Sequence, residues 1–284
     1  MIHLVTDSTS DLVADEAAAL GVRVVPLTVR FGAAQFRDGV DLGRGEFYRR
    51  LADSPVHPST SQPSPREFTA VYSELLRDPE DSIVSIHISE KLSGTLGSAH
   101  LAARDVDARR IHVVDSESVT VGLQLIVEAA CRDIAAGMDA ATVVRNVEQR
   151  RARTRIFFLL DTLTYLHRGG RIGRAQAFVG GVLKVKPMLS LHDGEVHPQA
   201  RVRSRQQGLD ALAELARAAG PLAALRVVHA GSPHLGAQVR ERLELAYPQL
   251  DARIVELGPV VGTYSGPAAV GIACLGLANG AQTT

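Results

Sequence analysis

Four polar segments hold the residues whose types and spacing suit chemistry. The first is Thr6-Asp7-Ser8-Thr9-Ser10, five polar residues directly after an apolar run. The second is Pro58-Ser59-Thr60-Ser61-Gln62-Pro63-Ser64-Pro65, in which prolines restrict an extended loop and present adjacent hydroxyls. The third is SEKLSGTLGS at residues 89–98. There Gly94 lets a ligand approach the backbone, Ser93 donates without adding charge, and a helix opening near Thr95 offers free N–H groups and the positive end of its dipole. The fourth is TLTYLHRGGRIG at 162–173, with Arg168 and Arg171 around a Gly-Gly turn. Hydroxyls, backbone N–H groups and arginines of this kind bind carboxylates or phosphates. Three of these segments also have a plainer reading. The first is a cap cluster, the second a Ser/Pro surface loop whose Ser64 or Pro65 starts a helix, and the fourth a solvated turn between helices.

Other chemistries lack their residues. The ten histidines show no HExxH or comparable metal spacing, and no G-x-G-x-x-G follows a strand. Around Ser93 there is neither a G-x-S-x-G elbow nor a P-loop ending. His229-Ala-Gly-Ser-Pro-His234 ends a predicted strand, and its bland reading is a turn with an exposed histidine. The two cysteines, Cys131 and Cys274, sit in apolar, helix-like surroundings and read as buried reduced thiols, which fits a cytoplasmic location. Formal net charge is zero, so nothing global points to nucleic acid. The N-terminal segment has no basic region of the signal-peptide kind, and no run of eighteen apolar residues spans a membrane.

The polar segments fall where strands end and helices begin, which is where parallel α/β sheets bind ligands. Predicted strands cover Ile2–Thr6, Val22–Val29, Ser82–Ile88 and Ile111–Val114. Helices are predicted over Asp11–Leu20, Thr95–Arg104, Val119–Ala136 and Asp139–Arg151. This βα alternation implies a largely parallel sheet flanked by helices. A second set begins near Ile156. It holds a strand at Ile156–Leu160, a hairpin from Lys186–Leu191 and Glu195–His197, and further units around Ser204–Ala219, Leu225–His229, Leu235–Ala246 and Arg253–Glu256. Val260–Leu277 reads as a loop followed by a buried helix. The expectation is an α/β protein of two domains, 1–155 and 156–284. The N-terminal domain is mainly parallel, the C-terminal one mixed, and the length of 284 residues suits two cores.

Seven stretches, in order, resemble the DegV family of bacterial fatty-acid-binding proteins. They are VTDSTSDL (5–12), TSQPS (60–64), LSGTLGSA (92–99), VVDSESVTVGLQ (113–124), DTLTYLHRGGRIGRAQAFVGGVLKVKPML (161–189), RVRSRQQGL (201–209) and GPVVGTYSGPAAVGIA (258–273). The resemblance implies a two-domain α/β fold with one long-chain fatty acid in an apolar tunnel between the domains. It places Thr60 and Ser93 on the carboxylate, with Ser61, Gly94 and Thr95 close by. It further implies a non-catalytic protein without cofactor or metal that presents the carboxylate to a separate ATP-dependent fatty acid kinase. The product is an acyl phosphate that enters phospholipid synthesis. One position departs from the family: where GTH is common, this chain has Gly262-Thr263-Tyr264. Tyrosine keeps a hydrogen-bond donor and loses the positive charge of histidine.

Arg201, Arg203 and Arg205 alternate, sharing one face if the segment is extended. They read as a solvated edge or, by the resemblance, as a docking patch for the kinase. Two other functions stay open. One is a free-standing hydrolase or transferase with Ser93 as nucleophile and His87 or His229 approaching as base. The other is a lipid-gated regulatory or transport protein using the same pocket.

Overall fold

In the computed structural model, which describes residues 1–179 and 185–278, the first apolar run forms β1 (Ile2–Asp7). It pairs in parallel with β2 (Val22–Val25). The predicted strand Val22–Val29 is split, because Pro26 has no N–H to continue a ladder. Beyond it the chain leaves for a small antiparallel sheet of β3 (Thr28–Phe31), β4 (Ala34–Arg37) and β5 (Ser59–Ser61), ordered β4-β3-β5. This sheet was not foreseen, and β5 carries the hydroxyls of the second polar segment. β6 (Ser82–His87) and β7 (Ile111–Asp115) complete the first sheet, parallel throughout in the order β2-β1-β6-β7.

The second large sheet contains β8 (Thr154–Leu159), β9 (Lys186–His192), β10 (Glu195–Val202), β11 (Leu222–His229), β12 (Arg253–Glu256) and β13 (Val270–Gly276). Its order is β10-β9-β8-β13-β11-β12, antiparallel except for β11 with β12. The expected mixed α/β architecture is present. So is the hairpin, whose turn residues Asp193 and Gly194 both take positive φ, 48° and 73°. That is the pair of conformations a tight two-residue hairpin turn needs.

Val260–Leu277 corrects the expectation. A short helix, Pro259–Ser265, comes first, and the apolar run after it is β13, in the middle of the sheet. Ala273 and Leu275 pack on one face of that sheet, and Ile272 and Cys274 on the other. A strand buried on both faces is a continuous apolar run, which periodicity cannot distinguish from a buried helix. Cys274 therefore lies on a strand, with its thiol pushed up to about 12 by burial. Cys131, half-buried, is on a helix as expected and is pushed up to about 11, again mainly by burial.

The helix Thr120–Ala135 joins the two large sheets. Its Leu123, Ile126 and Val127 pack with Leu4, Val84 and Ile86 of the parallel sheet. Its Val121 and Leu125 pack with Ile156, Leu189 and Leu191 of the mixed one. Twelve of its sixteen residues are buried, so it serves as core for both sheets. Polar ties add to this seam: Arg226 Nη2 donates to Glu128 at 2.7 Å, Arg253 pairs with Glu16, and Tyr48 donates to the Leu257 carbonyl at 3.1 Å.

Candidate functional site

A cavity of about 350 Å³ lies between the mixed sheet, the small sheet and the loop after β6. Such a volume falls at the lower end of the range for small-molecule sites. Its walls are mostly aliphatic. Leu189 and Leu191 come from β9, Leu160 from the residue after β8, Ile88 and Leu92 from the loop after β6, and Val260 and Val261 from the helix Pro259–Ser265. Phe158 also lines it, seated against Gly271 on the neighbouring strand, where a Cβ would come within 2.7 Å of the ring.

The polar lining groups are Thr60, Ser61, Gln62, Ser93, Arg171, Ser190, Tyr264 and Ser265. β5 holds Thr60 and Ser61 through its pairing with β3, Val29 opposite Thr60. Across the cavity the short helix presents Tyr264, whose hydroxyl pairs with Thr60 Oγ1 at 2.5 Å. Arg171 stacks over the Tyr264 ring, its Cζ 5.2 Å from the centroid. It donates from Nε to the Leu92 carbonyl at 3.2 Å and from Nη1 to the Gly169 carbonyl at 2.9 Å. Gly169 is required there, because a Cβ would stand 2.4 Å from the Tyr264 ring. The Arg-Gly-Gly-Arg turn thus delivers one guanidinium to the cavity through Arg171, while Arg168 lies outside its wall.

Ser93 faces the cavity and pairs with Thr95 Oγ1 at 2.8 Å, while the Thr95 N–H donates to Ser93 Oγ at 3.3 Å. The helix opens at Thr95, as the sequence predicts. The structure brings Thr60, Ser61, Ser93 and Tyr264 onto one wall system. Thr95 is buried behind Ser93, and Gly94 lies on the outer side, in an open groove with Pro65, Ser98 and Arg104. Gln62 borders both spaces: its amide covers Gly94, where a Cβ would meet Oε1 at 2.1 Å, and its Nε2 donates to Ser98 at 3.2 Å.

The first polar segment is framework instead. Thr6 through Ser10 are all buried, and none lines the cavity. Asp7 caps the turn Ser8–Ser10 by accepting the Thr9 N–H at 3.0 Å. Its other oxygen accepts the Ile88 N–H and pairs with His87 Nδ1, both at 3.0 Å. His87 Nε2 meets Ser85 Oγ at 2.7 Å, so both ring nitrogens are engaged away from Ser93. His229 ends β11 but is buried, against the expectation of an exposed ring. Its Nδ1 accepts the Ser232 N–H at 3.2 Å, and burial lowers its pKa. Neither histidine is on the cavity wall.

The three arginines do not share a strand face. β10 ends at Val202, Arg203 is in the turn, and Arg205 begins a helix. Arg201 stacks over Phe178 at 4.3 Å, Arg203 is exposed, and Arg205 bridges to both oxygens of Asp161 at 2.6 Å. The stretch 180–184 of the fifth family motif lies outside the described residues. Among the described residues, no group of three or more His, Cys, Asp or Glu could hold a metal, and no helix is long and apolar enough to cross a membrane.

Fold and site together define a class: an α/β protein of two large sheets with a mostly aliphatic cavity whose lining includes hydroxyls and one guanidinium. A family model described as "Uncharacterised protein, DegV family" matches residues 1–276. The chain belongs to the DegV family. It is 40% identical over 278 residues to a DegV domain-containing protein of Deinococcus radiodurans, covering 96% of this chain and 97% of that one. A DegV family protein from Thermus thermophilus, described for fatty acid binding, matches with a TM-score of 0.90 at 36% identity, covering 97% of this chain and 99% of that one. A stearic-acid-binding protein from Eubacterium ventriosum matches with a TM-score of 0.90 at 28% identity, covering 97% and 98%.

Proposed function

We propose that this protein binds one long-chain fatty acid, acyl chain in the aliphatic cavity and carboxylate among Thr60, Ser61, Ser93 and Tyr264. Gly94 and Thr95 shape the Ser93 loop, and Arg171 supplies the neutralising charge. The observation that carries this is a cavity lined by leucine, isoleucine and valine whose polar groups include the facing Thr60 and Tyr264 hydroxyls. Fatty acid binding by the Thermus thermophilus and Eubacterium ventriosum relatives supports it. Burying about fourteen methylenes at roughly 0.8 kcal/mol each favours retention by on the order of 11 kcal/mol. The head-group contacts then mainly orient the carboxylate.

The same reading makes the protein a non-catalytic, cytoplasmic carrier. It presents the carboxylate to a separate ATP-dependent kinase that forms an acyl phosphate for phospholipid synthesis. Within the proposed docking patch Arg201 and Arg203 are exposed, Arg201 stacking on Phe178, whereas Arg205 is tied to Asp161. Neutral hydroxyls suit such a carrier, since they accept a carboxylate and later tolerate a phosphate. A hydrolase using Ser93 has little support, because His87 is engaged by Asp7 and Ser85 and the Ser93 hydroxyl faces Thr95.

The test is native mass spectrometry of freshly purified protein, followed by solvent extraction and lipid identification. One fatty acid per chain is expected, with sharply lower occupancy in a folded Thr60→Ala/Ser93→Ala variant. A ligand-free spectrum with no uptake of added fatty acids of several lengths would overturn the reading.

A further inference from the structure

The hydroxyl end of the cavity and the groove outside Gly94 share one lining residue, Gln62. It follows β5 directly and precedes the buried Pro63 and the helix cap Ser64, so its backbone is held on both sides. Its side chain is exposed and rests against Gly94. A Cβ at Gly94 would stand 2.1 Å from Gln62 Oε1 and 2.7 Å from both Cδ and Nε2, so the whole amide occupies that spot. Among the described residues, one hydrogen bond keeps it there, from Nε2 to Ser98 Oγ at 3.2 Å. Ser98 is 3% exposed and fixed in the first turn of the helix Thr95–Val106. The movable part of this partition is therefore a side chain tethered by a single neutral bond. Exposed side chains of that kind change rotamer without any backbone motion.

The groove beyond the amide has a volume of about 590 Å³. Gly97, Ser98, Leu101 and Arg104 line it at spacings of three and four, one face of the helix Thr95–Val106, with Pro65 opposite. Gly97 leaves that face open, since a Cβ there would meet nothing within 4 Å. His100 and Arg104 are the titratable residues of the lining, and it includes no aspartate or glutamate. A groove with a permanent cation and no acid in its walls favours an anionic visitor.

We propose that Gln62 is a gate: swung off Gly94, it joins the groove to the Thr60–Ser93 end of the cavity and lets an anionic reactant reach the head group of the ligand. What lies behind the gate rests on the fatty-acid reading above. On that reading the carboxylate is reached through the groove while the acyl chain stays in the aliphatic cavity. Gly94 is the seat of the closed amide and Ser98 its latch.

The first test needs no lipid. Ser93→Cys, in a Cys131→Ser background with Cys274 fully buried, is labelled in the ligand-free full-length protein by a soluble thiosulfonate bearing a sulfonate group. Gln62→Ala is expected to speed labelling about tenfold, as loss of the one bond that favours the closed amide would do. Gly94→Ala, whose methyl displaces the same amide, is the second opening variant. Gly97→Trp fills the groove and should remove most of the labelling, and Leu101→Trp, at a position 51% exposed, replaces it should Gly97→Trp fail to fold. Arg104→Gln should slow the sulfonate reagent about twofold and leave a neutral one unchanged. Carboxyl-labelled oleate, loaded on the proteins with Ser93 intact, should show the same order in its relaxation by a soluble nitroxide. If oleate never binds while the thiol rates keep this order, the gate stands and only the fatty-acid reading falls. Equal labelling rates in the parent, the opening variants and the groove-filling variants would overturn the proposal, because Ser93 would then be reached by another path.

Discussion

At Thr60 the hydroxyl facing the cavity already has a partner, the phenol of Tyr264. A carboxylate entering between them exchanges one neutral hydrogen bond for two charge-assisted ones. Tyr264→Phe removes one of those donors, and binding of oleate, measured by titration, is expected to weaken about tenfold. Because Tyr264 is half-buried, the urea midpoint should move little. Tyr264→His makes the opposite experiment. A ring that gains charge below about pH 6.5 should tighten binding as pH falls. Thr60, Ser61 and Ser93 were legible because adjacent hydroxyls beside prolines and glycines stand out in a chain. Arg171 stood out as part of a possible anion turn, but its seat depends on Tyr264 arriving from the helix Pro259–Ser265 against Gly169. Asp38 gave no signal at all. It is buried beside Gly258, far away in sequence, and one-dimensional patterns carry no such proximity.

Elements bounded by local chemistry were read well. The helix Pro65–Leu75 begins with a capping box, Ser64 Oγ accepting the Glu67 N–H while Glu67 accepts the Ser64 N–H at 2.7 Å. Ser64→Ala should lower the unfolding free energy by about 1 kcal/mol in urea titrations. The strand β13 was misread because its neighbours, not its own sequence, make it a strand. It fills the gap between β8 and β11 and is covered on both faces. Gly271 shows how tightly it fits. A Cβ there would lie 2.6 Å from the Phe157 carbonyl oxygen and 2.7 Å from the Phe158 ring. Gly271→Ala is expected to cost about 1–3 kcal/mol by overpacking, read as a lower urea midpoint. It should also push Phe158 into the cavity, so that the variant takes up shorter acyl chains than the unmodified protein.

For the whole molecule, the question is whether the two large sheets unfold together. The helix Thr120–Ala135 contributes to the cores of both, so separating them would expose Val121 and Leu125 or Leu123, Ile126 and Val127. Cutting the chain near residue 155, where the sequence suggests a domain boundary, would leave Val121 and Leu125 without Ile156, Leu189 and Leu191. A single urea transition, coincident by circular dichroism and tyrosine fluorescence, is therefore expected, with two separated transitions as the contrary result. The cavity draws its walls from both halves of the chain, Ser93 from one and Tyr264 from the other, so a ligand bound there is expected to stabilise only the assembled molecule. At about a hundredfold excess of free oleate over its Kd, the unfolding free energy should rise by about 2.7 kcal/mol. That increment should appear in the one shared transition. If oleate instead shifted only part of the signal, the sheets would be folding as separate units. The seam helix would then be a contact between two domains and not a common core.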